Sequence, residues 1–144
     1  MSTVKLTYDA DRHGIGAKEP GHRTVAIGCN YHVGEIEDFS AGDLVAMGVA
    51  GCMLFSIGVQ ARHDRLDIRG TEVDVHFSVT DKPFPHLDTV ALTFNMPRDF
   101  SAEERETLEV AAGRCPLKAS FRPETRIIAT FRYPNEAAKR VTAA

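Results

Sequence analysis

The chain has little net charge, few cysteines and no phosphate-cradling glycine pattern, and each shortage closes off a class of function. Seventeen lysines and arginines stand against twenty acidic residues, a formal charge of −3 that gives no reason to expect nucleic acid or an anionic membrane as a partner. Nucleic-acid signatures are likewise absent from the sequence. Three cysteines in a reducing compartment argue against structural disulfides, so a Cys–Cys bond here is expected to be transient and catalytic. Met1-Ser2-Thr3-Val4-Lys5 lacks the basic region and apolar run of a signal peptide, and the expected location is the cytoplasm.

What is present is an ordinary globular composition, 43% hydrophobic and 26% charged over 144 residues, long enough for one domain over residues 1–144 with a core of its own. Leu44–Val59 carries no charge, but its 16 residues fall below the roughly 18 to 20 that a bilayer needs, and it holds three glycines. The expectation is a buried helix and no membrane span.

Val4-Lys5-Leu6-Thr7-Tyr8 alternates as a half-buried strand does, and Thr24–Gly28 reads as a second strand after the turn residues Arg12-His13-Gly14-Ile15-Gly16 and Pro20-Gly21. Ser40-Ala41-Gly42-Asp43 has capping-box form and predicts a helix to about Arg65. That helix is apolar on most faces, which requires surrounding protein. Gly42, Gly48, Gly51 and Gly58 each cost about 1 kcal/mol relative to Ala inside a helix. Close approach of another backbone would compensate, which makes the helix a candidate for pairing with its symmetry mate. Val73–Val79 and Val90–Met96 alternate across the turn Lys82–His86 and predict an antiparallel pair. Ser101-Ala102-Glu103-Glu104 opens a second helix that Gly113 ends, Thr125–Tyr133 is a last strand, and Asn135–Ala144 is expected to fray. The order β-β-α-β-β-α-β makes the fold α+β.

Two cysteines carry the chemical interest. Cys115 stands before Pro116, which favours the first turn of a helix, so Cys115 is either an N-cap whose thiolate is stabilised by free N–H groups, Arg114 and Lys118, or a small buried residue at a turn. Cys52 lies among Leu, Val, Met, Phe and Ile; it is a core residue unless a cationic or hydrogen-bonding partner reaches it from elsewhere in the fold.

Leu44-Val45-Ala46-Met47-Gly48-Val49-Ala50-Gly51-Cys52, followed some sixty residues later by Arg114-Cys115-Pro116, resembles the OsmC/Ohr superfamily over nearly the whole chain. The resemblance implies an intertwined homodimer in which antiparallel sheets wrap long central helices. It also implies reduction of organic hydroperoxides: Cys52 would attack the O–O bond and become a sulfenic acid, Cys115 would resolve it to a disulfide, and a dithiol such as a lipoylated protein would supply electrons. The peroxidase branches pair the reactive cysteine with an arginine after the first strand, which maps onto Arg12, with Arg23 as the fallback. They also carry a glutamate ten residues before the cysteine, where this chain has Gly42, with the carboxylate of Asp43 one position later. Nine residues of helix put Asp43 about 13 Å from Cys52 along the axis and half a turn away, so capping is its simpler role. Ser40-Ala41-Gly42-Asp43-Leu44 approximates the Ser-Pro-x-Glu-Leu pattern of the broader OsmC-like group.

The leading expectation is therefore a thiol peroxidase without metal or organic cofactor. A noncatalytic module binding a small apolar or thiol-reactive ligand, and an interaction or storage-like protein with residual cysteines, are the rivals, because a shared fold does not establish chemistry. Cys29 and His32 have Cys-x-x-His spacing, but a zinc site needs three or four ligands and nothing nearby in the sequence completes one. The scattered histidines, His76 and His86 among them, read as exposed or hydrogen-bonded strand residues.

Overall fold

Backbone pairing divides the chain's strands between two sheets of four strands each. The structure, a computed structural model, describes residues 3–9, 13–19, 23–28, 38–135 and 139–141. It falls into two compact units, Met1–Val45 and Ala46–Ala144.

The first unit holds β1 (Thr3–Asp9), β2 (His13–Glu19), β3 (Arg23–Gly28) and the two-residue β4 (Phe39–Ser40), in that order across one sheet. Residues 13–16, expected as turn, instead open β2. Gly14 pairs with Tyr8 on one side and Ile27 on the other, and Gly16 with Leu6 and Val25. A strand paired along both edges satisfies its backbone on each side, and that outweighs the weak strand preference of glycine.

Helix α1 (Ala41–His63) starts where the capping box places it. Ser40 Oγ accepts from the Asp43 N–H at 3.1 Å, while the Asp43 carboxylate accepts from the Ser40 N–H at 2.8 Å and from its hydroxyl at 2.6 Å. Asp43 is thus a cap, as its distance from Cys52 implied. At 23 residues α1 is longer than its apolar run and, by length and composition alone, long enough to cross a bilayer, with 33% of its most apolar window buried in this chain. The length argument against a span does not survive.

The second sheet runs β5 (Glu72–Thr80), β6 (His86–Asn95), β7 (Arg126–Arg132) and β8 (Lys139–Val141). The last of these replaces part of the tail expected to fray. The expectation of antiparallel sheets is also corrected: β6 and β7 pair in parallel from Thr89↔Arg126 to Asn95↔Arg132, as do β3 and β4. Helix α2 (Ala102–Gly113) lies between β6 and β7 in the chain, and a helical crossover returns the second strand in the direction of the first. Ser101 caps α2 with the reciprocal Ser101–Glu104 box. On β5 the alternation breaks at a bulge between Ser78 and Val79, which leaves Val79 exposed.

The core of this unit joins the stripe Ala46, Val49, Ala50, Met53, Ile57 and Ala61 of α1 to Val90, Leu92 and Phe94 of β6, Ile127, Ala129 and Phe131 of β7, and Leu108 and Ala112 of α2. Phe94 and Phe131 stack at 4.8 Å across the parallel pair. Each fully buried side chain of this size stabilises the fold by about 1.5–3 kcal/mol. On the other side of α1, Phe55 is 73% and Val59 72% exposed among the described residues. A Cβ added at Gly48 or Gly58 would meet no described atom within 4 Å, so the close backbone approach expected at those glycines is absent among the described residues.

Candidate active site

Helical geometry decides which residues Cys52 keeps company with. At about 100° per residue, Gly48, Cys52, Phe55, Ser56 and Val59 fall on one stripe of α1, nearly opposite the stripe that enters the core. These five residues and Leu117 line an open pocket of about 460 Å³. Its walls are apolar apart from the Cys52 thiol and the Ser56 hydroxyl, which donates to the Cys52 carbonyl at 3.0 Å. Gly48 contributes no side chain and leaves that part of the stripe open.

Cys115 comes directly off the end of α2. Its N–H donates to the Ala112 carbonyl at 3.3 Å, and the residue is only 2% exposed, a member of the core. Its thiol lies near that of the half-buried Cys52, close enough to affect its ionisation, and both cysteines are free.

The backbone beyond Cys115 corrects one expectation. Pro116 and Leu117 form a turn, and the short 3₁₀ helix that follows, Lys118–Ser120, has Leu117 rather than Cys115 at its N-cap. A backbone N–H still reaches the sulfur: Lys118 N–H donates to Cys115 Sγ at 3.4 Å, and the nearby Leu117 N–H acts on the thiol in the same sense. Both favour the thiolate. Burial of Cys115 is the larger effect and pushes its thiol above the ordinary value, and the neighbouring Cys52 thiol adds to the rise. Of the two readings of Cys115, the small buried residue at a turn fits and the easily ionised N-cap does not, because the desolvation of the charged form outweighs what the backbone N–H groups restore.

Among the remaining candidates, Arg12, Cys29 and His32 lie outside the described residues. Arg23 is exposed on β3, and Arg114 is exposed at the end of α2. No group of three His, Cys, Asp or Glu side chains that could hold a metal ion occurs among the described residues. Reading the sequence missed Ser56 and Leu117. Ser56 was legible in principle, since four residues past Cys52 is the same helix face, whereas Leu117 reaches the pocket only through the turn after Cys115.

The fold and site together define a small α+β protein with a neighbouring pair of free thiols beside an apolar pocket. The family model described as OsmC, OsmC-like protein, matches residues 34–130, and the chain belongs to that family. No curated protein matches the chain. Among solved structures, a Psychrobacter arcticus protein named for osmotic stress induction and a detoxification response is 25% identical, covering 92% of this chain and 96% of its own with a TM-score of 0.84. The organic hydroperoxide resistance protein OsmC of Legionella pneumophila is 19% identical (91% and 96% covered, TM-score 0.73). OhrB of Bacillus subtilis, also an organic hydroperoxide resistance protein, is 19% identical as well (92% and 98% covered, TM-score 0.71). The last two likenesses establish the fold.

Proposed function

We propose that this protein is a cytoplasmic thiol peroxidase of the OsmC-like family that reduces organic hydroperoxides with Cys52 and Cys115. The observation that carries the reading is the pair of neighbouring free thiols with one member, Cys52, opening onto an apolar pocket. An apolar wall suits the organic part of a hydroperoxide, and a half-buried thiol beside it can meet the O–O bond.

In the first step the Cys52 thiolate attacks the terminal, hydrogen-bearing oxygen. The S–O bond forms, the O–O bond breaks, and the electron pair leaves on the alkoxide, which takes a proton from solvent to become the alcohol. Cys52, oxidised by two electrons, is a sulfenic acid. In the second step the Cys115 sulfur attacks the Cys52 sulfur; the disulfide forms, and the displaced hydroxide leaves as water with the Cys115 proton. An external dithiol, such as that of a lipoylated protein, then reduces the disulfide by two exchanges and is itself oxidised. No metal or organic cofactor enters these steps. Arg12 is assigned as the cation that steadies the Cys52 thiolate, with Arg23 the alternative.

The same reading includes a homodimer. Support comes from the large apolar side chains of α1 that are exposed among the described residues, Met47 at 48% and Phe55 and Val59 still more, and from Gly48 and Gly58, which leave room for a second backbone. Burying such a face on formation of an obligate pair removes its apolar area from water.

A peroxide-consumption assay with a dithiol reductant, run beside thiol titration, tests the reading. Two thiol signals, those of Cys52 and Cys115, should disappear per hydroperoxide as the disulfide forms, and return on reduction. Saturable binding without turnover would instead make the pocket that of a noncatalytic small-ligand module.

A further inference from the structure

Ser56 lies one helical turn beyond Cys52 and is, with that thiol, the only polar side chain among the residues lining the pocket. Its hydroxyl hydrogen is committed to the Cys52 carbonyl at 3.0 Å. A hydroxyl has one donor and two acceptor lone pairs, and no described residue donates to Ser56 Oγ, so its acceptor capacity remains for whatever enters the pocket. A serine inside a helix commonly makes this bond to the carbonyl four residues back, and by itself the bond means nothing more. Its place on the pocket stripe gives it a further consequence.

Side chains at i and i+4 of a helix stand about 5–6 Å apart at Cβ. A reacting oxygen sits about 3–3.5 Å from its nucleophile, and an O–H donor about 2.7–2.8 Å from an oxygen acceptor. One atom between the two residues can satisfy both distances, provided that it is an oxygen bearing a hydrogen. The terminal oxygen of a hydroperoxide is such an atom.

Resting on the peroxidase reading, we propose that Ser56 is a substrate-positioning residue whose Oγ accepts the hydrogen bond of the hydroperoxide O–H and so holds the terminal oxygen against Cys52 Sγ. The bond does two things. It selects the hydrogen-bearing oxygen as the one attacked, leaving the organic part toward Phe55, Val59 and Leu117, and it persists after transfer, because the oxygen that becomes the sulfenic acid keeps its hydrogen. No proton or electron passes through Ser56. A peroxide with no O–H has nothing to offer it.

The test compares wild type, Ser56→Ala and Ser56→Thr in the full chain, with tert-butyl hydroperoxide as substrate and methyl methanethiosulfonate, which has no hydrogen-bond donor, as a probe of the Cys52 thiol. Ser56→Ala should lower kcat/KM for the hydroperoxide by about tenfold, the effect of losing one hydrogen bond of roughly 1.4 kcal/mol. The rate of Cys52 modification by the thiosulfonate should change by less than about twofold, and Ser56→Thr, which keeps the hydroxyl, should restore most of the peroxidase loss. Wild-type kcat/KM in Ser56→Ala overturns the assignment. Equal losses with both reagents overturn it too, since they would mean that Cys52 itself has moved. Wild-type protein that modifies normally yet consumes no hydroperoxide would remove the peroxidase reading and this inference with it, a pattern distinct from the other two.

Discussion

Cys115 lies beside Cys52 but in the core, where only 2% of its surface is exposed and burial raises its thiol above the ordinary value, whereas Cys52 is half-buried and faces a pocket. On the peroxidase reading, two neighbouring thiols in such unlike surroundings would divide the labour: the half-buried Cys52 would meet the substrate, and the buried Cys115 would wait as a neutral thiol until the sulfur beside it becomes electrophilic.

That division predicts unequal variants. Cys52→Ser should abolish hydroperoxide consumption. Cys115→Ser should permit a single turnover and leave Cys52 as a sulfenic acid that a dimedone-type reagent traps. Mass spectrometry of the trapped adduct checks the site. Undiminished rates in Cys52→Ser would refute the assignment, and equal rates in all variants, Arg12→Ala included, would favour the binding module.

The raised Cys115 thiol makes stability depend on pH. In the unfolded chain the thiol ionises near its ordinary value of about 8.5, whereas in the folded chain it holds its proton to higher pH. Between these values the unfolded state binds fewer protons than the native one, so stability falls as pH rises. Below the ordinary thiol value the contribution is fully present. Thermal unfolding from pH 7 to pH 10.5 should therefore show a steeper alkaline loss in wild type than in Cys115→Ala. Parallel slopes for the two proteins would contradict the assignment.

The exposed apolar face of α1 predicts assembly. Sedimentation should give a homodimer whose interface buries more than roughly 2,000 Å² in total, and Val59→Asp, placing a charge on that face, should shift the protein toward monomer or unfolded chain. A folded wild-type monomer that persists at all concentrations would sink the dimer.

Two substitutions calibrate the second unit without touching the pocket residues. Met53→Ala empties a fully buried position of α1 and should cost about 2–5 kcal/mol in denaturant unfolding. Ser101→Ala removes one half of the α2 capping box and should cost about 1 kcal/mol. A Ser101→Ala effect as large as that of Met53→Ala would mean that α2 is held by its cap more than by Leu108 and Ala112.

The sequence by itself determined the local features: both capping boxes, and with them the starts of α1 and α2, the alternating strands β5 and β6, and the two cysteines worth watching. Those features depend on side chains within a turn or two of one another, where spacing along the chain is spacing in the molecule. Tertiary structure decided the rest. It alone turned Gly14-Ile15-Gly16 into a paired strand, made β6 and β7 parallel, and brought Cys115 against Cys52 from 63 positions further along the chain. It also decided between the two readings of Cys115. A thiol's proton answers to desolvation and to contacts across the fold, and neither is written in the residues beside it.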